Sequence, residues 1–143
     1  ANAVICKALR ELRPDDGVLS EEERDNPDRL ARSRVWIVDP LDGTREFCER
    51  REDWAVHVAL AVDGEAAVGA VALPARGLVL RSDRPLALPE SPPRPRMVVS
   101  RTRPPAEALA VAEALGAELV PMGSAGAKAM AVVLGEADIY LHS

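Results

Sequence analysis

The chain has few aromatic residues and almost no lysine. Only 3% of its 143 residues are Phe, Trp or Tyr, and its lysines are Lys7 and Lys128. No stretch approaches the roughly 20 consecutive apolar residues that a membrane-spanning helix needs, and no segment resembles a signal peptide. Hydrophobic residues still make up 48% of the chain. The composition therefore predicts a folded protein without a membrane partner, whose core consists of Ala, Val, Leu and Ile.

The chain has no excess of basic charge and few cysteines. The formal net charge is −5, whereas a protein that binds a nucleic-acid polymer needs a basic face. A small phosphorylated ligand is compatible with this charge, because a bound metal can supply the positive potential. Cys6 and Cys48 form no C-x-x-C pair, and two isolated thiols are typical of a reducing compartment. We therefore predict a cytoplasmic protein that does not bind a nucleic-acid polymer, and this composition is compatible with a small phosphorylated partner.

The pattern of apolar residues predicts an α+β fold with mixed strand directions. A helix is expected over residues 3–12, with Val4 and Leu12 on its apolar stripe, and Asp63 and Gly64 predict a hairpin turn. The second half alternates strand and helix. Strands are expected at residues 18–20, 35–38, 54–62, 66–73, 77–81, 97–100, 118–120 and 137–141. Later helices are expected at residues 104–115 and, after a tight loop at 123–126, through Lys128 to Leu134.

Five prolines between residues 85 and 95 interrupt this pattern, since proline cannot continue a helix or a central strand. We therefore predict an α+β metal-binding domain at residues 1–88, a proline-rich connection at 89–96, and the start of an α/β domain at 97–143. The sequence begins without Met inside a helical pattern and stops after an apolar run. We expect it to be part of a longer protein, truncated at both ends.

The chemistry-bearing residues cluster where the strand at residues 35–38 is expected to end. Pro40 favours an extended Asp39, and Gly43 allows a sharp turn, so the carboxylates of Asp39 and Asp42 are expected to converge. Oxygen ligands of this kind select a hard cation such as Mg²⁺ or Mn²⁺. The next residue, Thr44, offers a hydroxyl to a water and an amide to phosphate. Glu21 joins the site if the strand before it lies beside the strand at residues 35–38.

Less specific interpretations exist for each element. An Asp-Pro-x-Asp-Gly sequence is often only a polar turn, and the glutamates at residues 21–23 are typical of a solvated surface. The loop at residues 123–128 lacks the spacing of a P-loop, because Gly126 is not followed directly by Lys. His57 lies between apolar residues and is interpreted as a packed or sheet-facing histidine. The combination of the acid pair, the Gly-Thr and the upstream glutamate favours a metal-dependent phosphatase site.

The residues from Trp36 to Thr44 (W-I-V-D-P-L-D-G-T) closely resemble the signature of the inositol monophosphatase superfamily. The L-S-E-E stretch at residues 19–22, the G-S-A-G-A-K stretch at 123–128 and the G-E-A-D-I-Y stretch at 135–140 resemble three further elements of it. The R-E-F that follows Thr44 resembles the 3'(2'),5'-bisphosphate nucleotidases of the CysQ type within this superfamily. The resemblance implies an inositol monophosphatase-like fold of alternating α and β layers, and family members often form homodimers.

The resemblance also implies roles for individual residues. It assigns the metal to Glu21, Asp39, Asp42 and the carbonyl of Leu41, and it implies that Thr44 and Glu21 orient or activate the attacking water, with Asp42 as a further catalytic residue. The implied contacts to phosphate or substrate come from Gly43, Thr44, Arg45, Gly123, Ser124 and Lys128.

Two aspartates that the superfamily uses have no counterpart in residues 1–143, one expected before Asn2 and one after the last strand. The resemblance nevertheless implies an enzyme that removes the 3'-phosphate of 3'-phosphoadenosine 5'-phosphate with Mg²⁺, or alternatively Mn²⁺, as cofactor. Inositol 1-phosphate and fructose 1,6-bisphosphate are alternative substrates. A non-catalytic relative that binds metal and phosphate is the alternative of another class.

Overall fold

The computed structural model describes residues 1–87, 90 and 92–142. The chain forms two compact units, one of residues 1–42 and 55–85 and one of residues 43–54 and 86–143. The expected domain boundary at residues 89–96 stays a prediction. It falls partly on Pro89 and Ser91, which with Leu88 and Ser143 lie outside the described residues.

Unit 1 is a five-stranded mixed sheet with one helix. Its strands lie in the order β1-β2-β3-β4-β5, and β1 runs parallel to β2 while the other neighbours are antiparallel. The elements are α1 (Asn2–Leu12), β1 (Gly17–Ser20), a 3₁₀ turn (Pro27–Ala31), β2 (Arg34–Asp42), β3 (Ala55–Val62), β4 (Glu65–Leu73), a 3₁₀ turn (Pro74–Arg76) and β5 (Leu78–Arg81).

Local sequence explains two of these elements. The hairpin predicted at Asp63 and Gly64 is confirmed, since both residues have positive φ and join β3 to β4 in a turn whose twist matches the strands. The helix predicted near the N-terminus is also confirmed as α1. Its predicted apolar stripe is wrong in part, because Val4 and Leu12 are 75% and 74% exposed while Cys6 is fully buried. The helix therefore turns its Cys6 side, and not the Val4 side, toward the interior.

Strand β2 corrects the expectation that the acid pair follows the end of a strand. β2 continues to Asp42, and its register against β3 shifts between Asp39 and Asp42. Pro40 lies within this irregular segment and is buried. A proline is tolerated there because a bulge interrupts the ladder that would otherwise require its missing N–H. The two aspartates thus lie on either side of a bulge within a strand.

Unit 2 is a three-stranded parallel sheet with helices on both faces. Its elements are α2 (Thr44–Cys48), β6 (Arg96–Ser100), α3 (Ala106–Leu115), β7 (Glu118–Met122), α4 (Ala125–Val133) and β8 (Ile139–Tyr140). β6 lies between β7 and β8 and is parallel to both. The alternation of strand and helix predicted for the second half is confirmed, whereas α2 was not predicted, because five residues are too few to show a helical period.

The central strand β6 forms the core of unit 2. Met97 and Val99 pack with Ala108 and Ala112 of α3 on one face, and Val98 packs with Ala131 of α4 on the other. The small alanine side chains let both helices approach the strand closely. Among the described residues, no aromatic side chain is buried in this core. In the described part of the chain, no helix is long and apolar enough to cross a membrane.

Candidate functional site

The pairing of β1 with β2 places Glu21 beside Asp39. Ser20 is the register partner of Val38 in this parallel pair, and the backbone N–H of Glu21 donates to the carbonyl of Val38 at 3.2 Å. Glu21, directly after the end of β1, and Asp39, within β2, therefore lie side by side on adjacent segments. The predicted neighbourhood of these two carboxylates is confirmed by the strand register.

The bulge in β2 directs Asp39 and Asp42 toward the same place. Asp39 is the register partner of His57 in β3, and Asp42 pairs with Ala55. A carboxylate oxygen of Asp39 accepts a hydrogen bond from the backbone N–H of Leu41 at 3.0 Å, which fixes the side chain over the turn. Candidate ligand atoms of Asp39, Asp42 and His57 all lie within 4.8 Å of one another.

His57 lies against the carboxylate of Asp42. Its Nε2 atom is 3.1 Å from Oδ2 of Asp42, and both side chains are largely shielded, at 31% and 16% exposure. The hydrogen bond to Asp42 raises the pKa of His57, burial opposes that rise, and the charges of Asp42 and Asp39 add to it. The imidazole is thus placed to hold the orientation of Asp42.

The carboxylates of Glu21 and Asp39 repel each other. The pKa of Glu21 is raised, first by the charge of Asp39, then by a side-chain hydrogen bond to Asp39 and by burial, with smaller contributions from the charges of Glu22 and Asp42. Like charges held this close favour protonation of one group. A divalent cation between them would remove the repulsion without a proton.

The donor set fits a hard divalent cation. Glu21, Asp39 and Asp42 offer carboxylate oxygens, which suit Mg²⁺ and Mn²⁺. His57 is also within reach, but Mg²⁺ and Mn²⁺ both prefer oxygen ligands to an imidazole nitrogen. Because its ring already contacts Asp42, these residues fit a site in which the carboxylates bind the ion and His57 supports one of them. The role predicted for the Leu41 carbonyl stays a prediction.

The segment after the acid pair turns sharply into α2. Gly43 has φ +90° and is the N-cap of α2, and its carbonyl accepts from the backbone N–H of Phe47 at 2.9 Å. Thr44 is the first residue of the helix and is exposed. Arg45, a predicted substrate contact, pairs with Glu49 on the same segment at 2.9 Å. Thr44 is therefore accessible to solvent, and Glu49 partly neutralises the charge of Arg45.

The loop of Gly123 and Ser124, called the 123–124 loop below, uses its polar groups within unit 2. The N–H of Gly123 donates to Oδ2 of Asp53 at 2.6 Å, and the N–H of Ser124 donates to the Asp53 carbonyl at 3.1 Å. The Ser124 hydroxyl accepts from the N–H of Ala127 at 2.9 Å and caps α4. The buried Lys128 donates to the carbonyl of Gly123. Substrate contacts by these residues stay a prediction.

Three residues beside the predicted site residues are not recognisable from the sequence alone: His57, Glu46 and Asp53. His57 becomes recognisable only through its register opposite Asp39 in an antiparallel pair, which the linear sequence does not show. Glu46 is buried, and Asp53 reaches the 123–124 loop across a long sequence separation. Acidic residues in a charged stretch are normally solvated, so no local signal distinguishes these two.

Proteins of similar sequence include phosphatases of phosphorylated nucleotides. The 3'-phosphoadenosine 5'-phosphate phosphatase of Mycobacterium tuberculosis is 49% identical over 153 aligned residues, which cover 100% of this chain and 57% of that protein. The 3'(2'),5'-bisphosphate nucleotidase CysQ of Escherichia coli K12 is 32% identical over 98% of this chain and 62% of its own length. The chain thus spans about three fifths of the length of these two relatives.

Solved structures show the same fold. Inositol monophosphatase II of Staphylococcus aureus matches with a TM-score of 0.76 at 22% identity, covering 99% of this chain and 60% of that one. The suhB protein of Bartonella henselae matches with a TM-score of 0.76 at 24% identity, covering 97% and 60%. The predicted inositol monophosphatase-like α+β fold is confirmed. The sequence profile of the inositol monophosphatase family matches residues 1–86, more than half of the chain, and the protein therefore belongs to that family.

Proposed function

We propose that the protein is a Mg²⁺-dependent phosphomonoesterase that hydrolyses the 3'-phosphate of 3'-phosphoadenosine 5'-phosphate, giving AMP and phosphate. The observation that carries this proposal is the group of Asp39, Asp42 and His57 in unit 1, whose candidate ligand atoms lie within 4.8 Å of one another, with Glu21 beside Asp39. The names of the relatives from M. tuberculosis and E. coli support the choice of substrate.

The proposed chemistry is direct attack by water on phosphorus. The bond from phosphorus to the sugar oxygen breaks, and the leaving oxygen takes up a proton from solvent water. When bound, the cation supplies positive charge to the phosphoryl oxygens. Glu21 is proposed to accept a proton from the water, and His57, 3.1 Å from Asp42, is proposed to keep that carboxylate oriented. Thr44 is proposed to orient the water through its hydroxyl.

The remaining roles concern the substrate. Backbone groups of Gly43 and Thr44 are proposed to contact phosphate, and Arg45 is proposed to attract the negatively charged substrate from the exposed side of α2. The 123–124 loop and Lys128 are proposed to face the nucleotide. A cytoplasmic location, use of Mn²⁺ and formation of a homodimer belong to the same proposal.

The test is phosphate release by the full-length protein from 3'-phosphoadenosine 5'-phosphate, with and without Mg²⁺. We expect turnover only with the cation and a loss of at least about a hundredfold in kcat/KM for Asp42→Asn. Asp83→Asn is the matched control, because Asp83 is exposed and pairs with Arg81. Turnover without a cation, or full turnover by Asp42→Asn, would refute the proposal.

Two alternatives are decided by the same assay. Inositol 1-phosphate and fructose 1,6-bisphosphate are tested beside the nucleotide. A higher kcat/KM for either one would show that it, and not 3'-phosphoadenosine 5'-phosphate, is the preferred substrate. Cation binding without turnover on all three substrates identifies a non-catalytic relative.

A further inference from the structure

In unit 2, a buried carboxylate fills the space beside the 123–124 loop. Glu46 of α2 is only 7% exposed. A Cβ atom added to Gly123 would lie 2.1 Å from Cγ and 2.5 Å from Cδ of Glu46. No side chain fits there together with Glu46, so Gly123 and Glu46 are matched in shape. The loop position therefore depends on where the Glu46 side chain lies.

Arg101 fixes that side chain. Its Nε donates to Oε1 of Glu46 at 2.9 Å, and its Nη2 donates to Glu49 at 2.5 Å. The guanidinium is only 19% exposed. A planar guanidinium that spans two carboxylates holds both in a defined orientation. Arg101 therefore determines the position of Glu46.

Arg101 also contacts the other side of the loop, through its backbone. Its N–H donates to the carbonyl of Met122 at 3.0 Å, and Met122 directly precedes Gly123. Ser100 and Met122 are register partners of β6 and β7. Arg101 thus contacts the start of the 123–124 loop through its backbone and the Glu46 side of the loop through its side chain.

Asp53 completes the contacts to the loop. It accepts from the N–H groups of Gly123 and Ser124, and Arg51 binds its carboxylate at 2.7 and 2.9 Å. Residues 44–53 thus contact the loop twice, through Glu46 and through Asp53. Since Thr44 is the first residue of α2, these contacts also fix the distance from the loop to Thr44.

We propose that Glu46 and Arg101 are positioning residues that hold the 123–124 loop in place relative to Thr44 and so determine how tightly substrate binds. This inference rests on the proposed function, since that function assigns substrate contacts to the loop. Buried ion pairs contribute little net stability compared with apolar residues of similar volume. We infer that the loop depends on the defined geometry of this ion pair, because the Glu46 side chain fills the space that any side chain at position 123 would need.

The test compares Arg101→Met, Arg101→Lys and Glu46→Gln in the full-length protein with Mg²⁺. For Arg101→Met we expect KM for 3'-phosphoadenosine 5'-phosphate to rise about tenfold while kcat changes less than about twofold, because the loop binds substrate and does not react. Arg101→Lys keeps the charge and loses the two-pronged contact, so its KM lies between those of the wild type and Arg101→Met. Glu46→Gln keeps a side chain of the same volume beside Gly123. We therefore expect this variant to fold even if Arg101→Met does not.

Amide hydrogen exchange of Gly123 and Ser124 gives a second readout that needs no activity. We expect exchange at both amides to accelerate about tenfold or more in Arg101→Met and to a smaller extent in Glu46→Gln, because the loop opens locally when Glu46 is released. Arg96→Met is the matched control. Arg96 also forms a shielded ion pair in unit 2, with Asp138 at 3.0 Å, but it lies at the other end of β6.

The outcomes separate this inference from the proposed function. If the wild type releases no phosphate, the proposed function fails, while amide exchange still decides whether Arg101 holds the loop. If the wild type is active and Arg101→Met and Glu46→Gln leave both KM and amide exchange unchanged, the positioning role is wrong. It is equally wrong if Arg96→Met raises KM as much as Arg101→Met, since the effect then comes from the general stability of unit 2.

Discussion

The Nε2 atom of His57 lies 3.1 Å from Oδ2 of Asp42. The contact joins neighbouring strands β2 and β3 at the bulge where the acidic residues converge. A carboxylate that binds a cation through one oxygen keeps its direction when its other oxygen is hydrogen-bonded. His57 supplies such a bond from within the sheet, on a rigid element and not on a loop.

Replacement of His57 by Ala should weaken cation binding. Loss of the hydrogen bond frees the Asp42 carboxylate to rotate, and we expect Mg²⁺ affinity to fall about 10- to 100-fold. His57→Gln keeps a donor at a similar reach and should lose less. The measurement is calorimetric titration of the protein with Mg²⁺.

His142→Asn is the control for the histidine series. His142 is exposed and contacts Tyr140 at 2.7 Å in unit 2, so its replacement should leave Mg²⁺ affinity within about twofold. Equal affinity of His57→Ala and the wild type would show that Asp42 needs no support from the imidazole.

Replacement of Glu21 by Gln should change the stability of the protein in opposite directions with and without cation. Without cation, the variant lacks the repulsion between Glu21 and Asp39 and should be slightly more stable than the wild type, by less than about 1 kcal/mol because Glu21 is exposed. With cation, the wild type gains stability by mass action, about 2.7 kcal/mol at one hundred times Kd. The variant should gain much less. Thermal unfolding at several Mg²⁺ concentrations measures both effects.

The matched control is Glu65→Gln, which removes one exposed carboxylate at the start of β4. It should leave the Mg²⁺-dependent rise in melting temperature unchanged. A Glu21→Gln variant that gains as much from Mg²⁺ as the wild type would exclude Glu21 as a ligand.

The sequence predicted the group of acidic residues better than the contacts around it. Asp39 and Asp42 are close along the chain, and parallel pairing of two short strands is enough to add Glu21. The bulge within β2 was not foreseen, because the end of the apolar run at Val38 resembles the end of a strand. Strand register, which places His57 opposite Asp39, depends on the whole sheet and not on local sequence.

The contacts to the 123–124 loop were not predictable for a different reason. Glu46 and Asp53 lie among charged residues, and their neighbours give no sign that Glu46 is buried or that Asp53 accepts from Gly123. The burial of Glu46 depends on Arg101, far along the chain. Patterns of nearby residues predict elements well, whereas polar contacts between distant segments need the fold itself.

Replacement of Gly43 by Ala should be strongly destabilising. Gly43 has φ +90°, and an added Cβ would lie 2.8 Å from Cβ of Ser124 and 3.2 Å from Cβ of Trp54. The variant therefore adds a steric clash to backbone strain of roughly 1–2 kcal/mol, and we expect a total loss of about 3 kcal/mol or more. Chemical denaturation measures the loss.

Gly64→Ala separates strain from clash. Gly64 has a similar φ of +85° but no heavy atom within 4 Å of an added Cβ. It should lose only the strain energy of roughly 1–2 kcal/mol. Equal losses in the two variants would show that the contacts of Gly43 with Ser124 and Trp54 are easily relaxed.

Replacement of Asp53 by Asn should change how stability depends on pH. Burial alone raises the pKa of Asp53, but hydrogen bonds from Arg51 and from the N–H of Gly123 outweigh it, so the pKa lies below its ordinary value of 3.8. A carboxyl whose pKa is lowered by folding stabilises the protein fully above its unfolded pKa, and this contribution disappears as pH falls through the folded pKa. The wild type should therefore lose this contribution below about pH 4.

The amide side chain introduced by Asp53→Asn cannot ionise, so this variant should be less stable than the wild type at pH 7, and the difference should shrink as pH falls below about 4. The measurement is urea denaturation of both proteins at a series of pH values. Asp83→Asn is the control, since Asp83 pairs with Arg81 at the surface of unit 1 and should show a much smaller difference at pH 7. A stability difference between the wild type and Asp53→Asn that stays constant from about pH 7 to about pH 3 would mean that the carboxylate charge of Asp53 does not stabilise the 123–124 loop, and that only its size and its carbonyl do.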